Sequence, residues 1–205
     1  DVGGNASVTA TSGGVTDSGM TLVGGSASFT TLQVGQSIVL DQLGVNGSIA
    51  LQTATDGDAT IVNKTGIDFA PSNVGGNLSA TATTGSITDS GTVTVAKTAR
   101  FDTRAVDAII DLDQLDVTGS IALFTQGGAG NASIVNTTQV DLAGSDIGGT
   151  LNVTATSGGI TDSGMTLVGG NASFTTLQVG QSIVLDQLDV TGSIALQTAT
   201  DGDAT

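Results

Sequence analysis

The chain has 205 residues, including 31 Gly and one Pro, and it lacks Cys, His, Trp, Tyr and Glu. Without His or Cys it has no imidazole base, thiolate nucleophile or soft metal ligand, which excludes catalytic triads, zinc sites and redox dithiols. A formal net charge of −15 with only four Lys and Arg residues excludes nucleic acids and anionic membranes as partners. No stretch approaches the ~20 apolar residues of a membrane span, so no membrane insertion is expected.

Strand signals begin at Ala6 and return along the whole chain. In the segment 6–10, apolar or Thr residues alternate with polar ones, which is typical of a half-buried strand. Strands of this kind are predicted to start at 6, 27, 49, 78, 99, 121, 151, 172 and 194. A second apolar strand follows each of them, as at 38–40 and 61–62, and a third short one is predicted at 20–22, 67–69 and 140–142.

The chain is built from three long repeats. Val2-Gly3-Gly4-Asn5 returns as Val74-Gly75-Gly76-Asn77 and again as Ile147-Gly148-Gly149-Thr150. The long repeats are therefore 2–73, 74–146 and an incomplete 147–205. Segments 2–60 and 147–205 differ at only eight of 59 positions, which indicates recent duplication. We expect residues 1–205 to form a single continuous solenoid segment that belongs to a longer array.

Each long repeat divides into three similar units, which in the first repeat are 2–22, 23–44 and a longer third unit, 45–73. One unit cannot bury its apolar face alone, but parallel stacking of equivalent strands buries it continuously. The fold predicted is all-β, a right-handed parallel β-helix (β-solenoid) of about nine coils of 21–30 residues. The extra residues of the third unit are predicted to protrude as a loop. Gly stands at the second position after the unit start in eight of nine units, Lys97 being the exception, and is predicted to need a positive φ there.

The repeat phrase resembles a known family. Val-Gly-Gly-Asn-Leu-Ser-Ala-Thr-Ala-Thr at 74–83, followed by Gly-Ser-Ile-Thr-Asp-Ser-Gly at 85–91, is similar to the tandem β-strand repeats of giant filamentous-haemagglutinin-like bacterial exoproteins. The resemblance implies secretion and an elongated adhesin-type shaft at the cell surface, acting in adhesion, extracellular matrix or filament formation. The partners implied are neighbouring repeats, other copies of the chain, and surface molecules of a host or neighbouring cell.

Recurring Asp residues are the main chemical candidates. Asp17, Asp89 and Asp162 lie in Thr-Asp-Ser-Gly turns, and we expect them to cap turn amides. The alternative is a Ca²⁺ site, best placed at Asp56-Gly57-Asp58 and its copy 201–203, in a calcium-stabilised surface-layer or fibre component that assembles end to end. Because the second repeat has Gln126-Gly127-Gly128 at this place, we assign no metal or cofactor residue. Further Asp residues follow the second strand, at Asp41, Asp113 and Asp186.

Two other functions agree less well with the sequence. A β-helical polysaccharide-acting enzyme would need an irregular charged cluster, and the one present comprises Lys97, Arg100, Asp102, Arg104 and Asp107. A surface ion pair accounts for it, so no catalytic residue is assigned. An ice-binding solenoid would need an unbroken Thr column, but Gln52, Asp102 and Phe124, which we expect to be exposed, interrupt the column that starts at Thr9. The sequence therefore predicts a non-enzymatic structural shaft, extracellular or at the cell surface.

Overall fold

The chain winds into one continuous β-solenoid. The computed structural model describes residues 1–205 and contains 25 β-strands and no helix, and hence no helix that could cross a membrane. The strands form two sheets of 12 and 13 strands, and the pairings within both sheets are parallel. The all-β parallel solenoid predicted from the alternation is therefore confirmed.

The two sheets form opposite sides of the solenoid. The first sheet contains Ala6–Ala10 (β1), Ala27–Thr31 (β4), Ile49–Gln52 (β6), Ile67–Phe69 (β8), Ser72–Val74 (β9), Ile87–Asp89 (β11), Val93–Val95 (β12), Ile110–Val117 (β14), Ala132–Asn136 (β16), Leu151–Ala155 (β19), Ala172–Thr176 (β22) and Ile194–Gln197 (β25). The second sheet contains Val15–Thr16 (β2), Thr21–Val23 (β3), Ile38–Val45 (β5), Ala59–Asn63 (β7), Leu78–Ala82 (β10), Ala99–Val106 (β13), Ser120–Gln126 (β15), Val140–Leu142 (β17), Ser145–Ile147 (β18), Ile160–Asp162 (β20), Thr166–Val168 (β21), Ile183–Val184 (β23) and Leu188–Val190 (β24).

The turns are nearly uniform in length. In one of the shortest turns Ala59 pairs with Leu78, and in one of the longest Ile87 pairs with Ile110. Nine ladder steps lead from Ala6 to Ile194 along the first sheet. At about 4.8 Å per step, the solenoid is about 43 Å long.

Each turn has two halves, and the halves are of two kinds. A straight half is one strand, such as β4 or β10, whose alternate side chains point into the core. A bent half has two short strand segments on either side of a kink, as in β8 and β9, or in β5, where the ladder register shifts between Leu40 and Leu43. The kink allows both segments to turn an apolar side chain inward.

Each long repeat contains seven halves, which is three and a half turns. In the first repeat the order is straight, bent, straight, bent, straight, straight, bent, and the second repeat has the same order. Because seven is odd, equivalent strands change sides from one repeat to the next. Ala6 lies in the first sheet, its equivalent Leu78 in the second, and Leu151 in the first again, seven ladder steps beyond Ala6.

The prediction of a protruding loop in the third unit was therefore wrong. Residues 49–73 contain two straight halves in succession, β6 and β7, followed by the bent half β8 and β9. The extra residues supply a further half turn, because Ala59, Ile61 and Asn63 all point into the core. The long third unit is thus about one and a half turns of ordinary length.

One hydrophobic core runs through the solenoid. It contains 42 buried residues in a single cluster that includes Val15 in the first turn and Ile183 in the last. A large and a small side chain share the core within single strands, because Phe101 and Ala99 are both buried in β13. Phe101 packs edge-to-face on Phe69 from the opposite sheet, with the ring centroids 6.1 Å apart. The equivalent Phe and Ala residues 27, 29, 172 and 174 are also buried.

The glycines near the unit starts are required for close packing and not for a positive φ. The positive-φ glycines are Gly13, Gly35, Gly127, Gly158 and Gly180, none of which is the second residue after a unit start. At Gly47, by contrast, a Cβ would lie 2.7 Å from the backbone carbon of Gly25 in the preceding turn. Corners of adjacent turns stack directly on each other, so a Cβ at Gly47 has no room, whereas Gly4 in the first turn has nothing within 4 Å and Lys97 occupies the equivalent position in the fifth unit.

Candidate functional site

Asp17, Asp89 and Asp162 lie at the kinks of bent halves, and we call them the kink carboxylates. They cap backbone amides of the following turn. The two oxygens of Asp17 accept hydrogen bonds from the N–H groups of Asp41 and Gln42, at 3.1 and 3.0 Å. The capping role predicted for these Asp residues is present, but each carboxylate caps the next turn and not its own. The same two bonds join Asp89 to 113 and 114, and Asp162 to 186 and 187.

Asp89 is electrostatically different from the other two capping residues. Burial raises the pKa of its carboxyl group, and the negative charges of Asp113 and Asp111 raise it further, although the N–H groups of Gln114 and Asp113 lower it. Asp111 stands where the first and third repeats have Val39 and Val184. The second repeat therefore places an additional negative charge beside a carboxylate that is already partly removed from water.

The two carboxylates of the predicted calcium loop bond different partners. Asp56 forms an ion pair with Lys97, at 2.9 Å between Nζ and Oδ1, and this bond raises the pKa of Lys97. Asp58 accepts hydrogen bonds from the backbone and side-chain nitrogens of Asn77, at 2.7 and 3.0 Å. No group of three or more carboxylates in the chain could hold a metal ion. Both carboxylates of this loop thus hold turns together, Asp58 to the next turn and Asp56 to the turn after that.

The charged cluster of the fifth unit does not converge on one point. Arg100 binds Asp102 at 3.1 Å and lies 3.6 Å from the ring centroid of Phe124, so the predicted surface ion pair is present. Lys97 points instead to Asp56, and Asp107 caps the N–H of Ala129 at 3.0 Å. The cluster therefore offers no paired acid and base around a common substrate position.

Phe124 is half-buried, so the prediction that it is exposed was wrong. The Arg100 guanidinium, one turn away, covers the face of its ring. A cation over an aromatic face is attracted to the ring electrons. The residue is part of an intramolecular contact.

The Thr column considered for ice binding is not a single column. Thr9, Thr30 and Gln52 pair in the first sheet, but Thr81, Asp102 and Phe124 pair in the second. The equivalent residues of the third repeat, 154, 175 and 197, return to the first sheet. Since the array changes sides twice, neither side presents the regular Thr lattice that ice binding would require.

Two pairs of buried polar residues were missed by the sequence interpretation. Asn63 and Asn136 end the second of two successive straight halves, and both are fully buried. Asn63 bonds the N–H and C=O of Val45 at 2.9 and 3.0 Å, and its amide also donates to the C=O of Gly66. Asn136 repeats this pattern with 117 and 139.

Ser72 and Ser145 have the corresponding role in the opposite sheet, at the junction where a bent half stacks on a straight half. The N–H of Leu51 donates to Ser72 Oγ at 3.1 Å, and this hydroxyl donates in turn to the C=O of Ala70. Ser145 makes the same two bonds with 123 and 143. At each place where a straight and a bent half stack, side chains therefore replace ladder bonds that the backbone cannot form. The sequence signal is an Asn in a column that is otherwise apolar.

The largest surface groove has a mainly polar lining. It lies at an edge between the two sheets and is lined mainly by Asn46, Thr65, Asp68, Ser86 and Thr88. It has a single carboxylate and no cationic or aromatic side chain in its lining. This arrangement could hydrogen-bond a solute but contains no acid and base pair for chemistry.

Comparisons with known proteins identify a repeat family. A family model described as repeats of unknown function (DUF5649) matches residues 56–128 and again residues 129–197. No curated protein and no solved structure gives a match. Each matched segment contains seven halves of the solenoid, from β7 to β15 and from β16 to β25. The unit of the family model thus coincides with the three and a half turns after which the chain changes sides. These comparisons do not bear on the likeness to filamentous-haemagglutinin-like exoproteins.

Proposed function

Because this chain belongs to the family described as repeats of unknown function (DUF5649), we propose its function from the geometry of the repeats. The chain is a non-enzymatic structural shaft, a stiff spacer within a larger repeat protein. The observation that carries this proposal is the single core of 42 buried residues, which connects the nine turns without a break. A continuous core and continuous ladders resist bending at every turn, as a spacer requires.

The charged side chains that could take part in chemistry are used in contacts between turns, which supports a mechanical role. Asp17, Asp89 and Asp162 hold successive turns together through backbone amides, and Lys97 joins turns through Asp56. Groups used in this way are not free to act on a substrate. The absence of His and Cys from the sequence agrees with a protein that performs no catalysis.

The proposed location is outside the cell or on its surface. The resemblance of residues 74–91 to exoprotein repeats supports this location, as does a surface rich in Ser, Thr and Asn with few charges. In this setting the shaft serves adhesion, extracellular matrix or filament formation. It holds other parts of its protein at a distance from the cell, where they meet surface molecules of a host or neighbouring cell.

Electron microscopy and small-angle X-ray scattering of the purified chain test the proposal. We expect rods about 43 Å long whose length is the same in dilute and concentrated samples. Val95→Asp, which places a charge in the core, should abolish the rod, whereas Val39→Asp at an exposed strand position should leave it intact. A flexible or globular wild-type particle, or hydrolysis of a polysaccharide by the purified chain, would contradict the proposal.

A further inference from the structure

The charges of the solenoid are concentrated on its bent halves. We call the outer surface of the first sheet face 1 and that of the second sheet face 2. Among the straight halves, only β13 carries charged residues that point outward, namely Arg100, Asp102 and Arg104. The other straight halves present Ser, Thr, Ala, Asn, Gln, Val and Phe to the solvent.

The odd number of halves per repeat gives the two faces opposite charge patterns. On face 2 the acidic residues lie toward both ends, as with Asp17 and Asp41 at one end and Asp162 and Asp186 at the other. In the same turns, face 1 presents the uncharged strands β1, β4, β19 and β22. At both ends of the solenoid, the acidic face 2 therefore has an uncharged face 1 behind it.

In the middle of the solenoid the pattern is reversed. Face 1 carries its acidic residues here, at 68, 89, 111, 113 and 116, and has no cation. Face 2 carries Arg100 and Arg104 in the same turn as Asp111 and Asp113. Arg104, Asp111 and Asp113 are exposed, and their side chains make no hydrogen bond or ion pair within the chain. This turn is thus cationic on one side and acidic on the other.

We propose that copies of this chain stack side by side, with face 2 of one copy on face 1 of the next, their axes parallel and their turns level. In this arrangement Arg104 meets Asp111 and Asp113 of the neighbouring copy. The acidic ends of face 2 meet the uncharged ends of face 1. Packing either face against its own kind would instead place Asp rows on Asp rows, which is unfavourable. The inference deepens the proposed structural role, on which it rests.

The contact is heterologous, so it extends without closing. Each copy uses face 2 toward one neighbour and face 1 toward the other, related by translation, and such contacts generate open assemblies. The occupant of each face is therefore another copy of this chain, and the product is a ribbon of parallel shafts. Charge complementarity sets the order and level of the copies, while the net charge of −15 opposes less specific association.

Paired charge reversals test the interface by sedimentation velocity at about 0.15 M ionic strength, where charges beyond ~8 Å are largely screened. Arg104→Asp and Asp113→Arg should each lower the association constant by about tenfold or more, because like charges then meet. An equimolar mixture of the two variants should again form stacks, in which the two variants alternate, since every contact between unlike variants is complementary and every contact between like variants is not. The double variant should again form long stacks.

Lys64→Asp is the matched control, because it changes the net charge as Arg104→Asp does but lies at an edge outside the contact. It should associate as the wild type does. Equal weakening by Lys64→Asp and Arg104→Asp, or a mixture that associates no better than either variant alone, would overturn the interface. Wild-type chains that remain separate rods at millimolar concentration would also overturn the interface but would leave the proposed shaft role intact. A wild-type chain that forms no rod would contradict both proposals.

Discussion

The side chain of Asn63 bonds both backbone groups of Val45, accepting from its N–H at 2.9 Å and donating to its C=O at 3.0 Å. These bonds join a straight half to the bent half beneath it, where the ladder register shifts. Asn63→Ala would leave the N–H of Val45 without a partner and the C=O of Gly66 with only a weak one. We expect a loss of about 2 to 5 kcal/mol in the free energy of unfolding, measured by urea titration.

Asn152→Ala is the matched control for this prediction. Asn152 lies in β19, points outward and makes no side-chain hydrogen bond, so its replacement should change stability by less than about 0.5 kcal/mol. Asn136→Ala should repeat the loss seen at Asn63, since its bonds to Val117 are equivalent. A small effect at both buried positions would show that the junction does not depend on these amides.

Thr166 offers a test with the opposite sign. Its hydroxyl is fully buried and has no hydrogen-bond partner, and the second repeat has Val93, also fully buried, at the equivalent position. Thr166→Val keeps the shape and removes an unpaired polar group, so it should stabilise the chain by about 1 kcal/mol. Thr176→Val should destabilise by a similar amount, because Thr176 donates to the C=O of Gln181. Thermal denaturation of the two variants measures both shifts, and a loss of stability in Thr166→Val would contradict the prediction.

The sequence was sufficient for the strands but not for the side on which each strand lies. Alternation identified the strand 78–82 because Leu78 and Ala80 are buried as the pattern requires. The likeness of Leu78 to Ala6 suggested that both stack in one column, yet they lie in opposite sheets. Sequence likeness reports the local environment of a residue, and that environment is the same on either side of a two-sided core. The number of half turns between two copies depends on whether 59–63 enters the core or leaves it.

The candidate sites were predicted less completely, for a related reason. Capping by Asp17 could be foreseen, because a short carboxylate before Ser-Gly favours bonds to nearby amides. Its actual partners, the N–H groups of Asp41 and Gln42, could not be foreseen. These residues are 24 and 25 positions away in sequence and become neighbours only when the turns stack. The contact of Arg100 with Phe124 likewise joins adjacent turns. In a solenoid, most side-chain partners are one turn away in sequence, and turn length must be known before they can be named.

The kink carboxylates should contribute measurably to stability. Asp162 accepts from the N–H groups of Asp186 and Gln187 at 3.0 and 2.9 Å, and Asp162→Ala would remove both acceptors. Because the site is partly exposed, water can replace some of this bonding, and we expect a loss of about 1 to 3 kcal/mol in urea titrations. Asp186→Ala removes an exposed carboxylate that bonds nothing, so it should cost little. Equal losses in the two variants would show that the effect arises from net charge and not from capping.

Because the pKa of Asp89 is raised in the folded chain, its contribution to the free energy of unfolding changes with pH in a defined direction. As pH rises, the unfolded chain releases this proton first, so the contribution is complete below the unfolded pKa and is lost as pH rises through the folded pKa. Asp111→Val restores the residue type of Val39 and Val184 and removes one charge that raises the pKa. We therefore expect the variant to have a lower Asp89 pKa by carboxyl NMR titration.

Stability measurements on the same pair complete the test. Relative to the wild type, Asp111→Val should gain stability between about pH 3 and pH 7, because the repulsion that it removes exists only when both carboxyl groups are ionised. Any effect of Val on strand preference or exposed apolar area is the same at each pH and cancels in this comparison. Val39→Asp introduces the same charge beside Asp17 in the first repeat, so its stability relative to the wild type should fall over the same pH range. A stability difference that stays constant from acid to neutral pH in both variants would contradict the role assigned to Asp111.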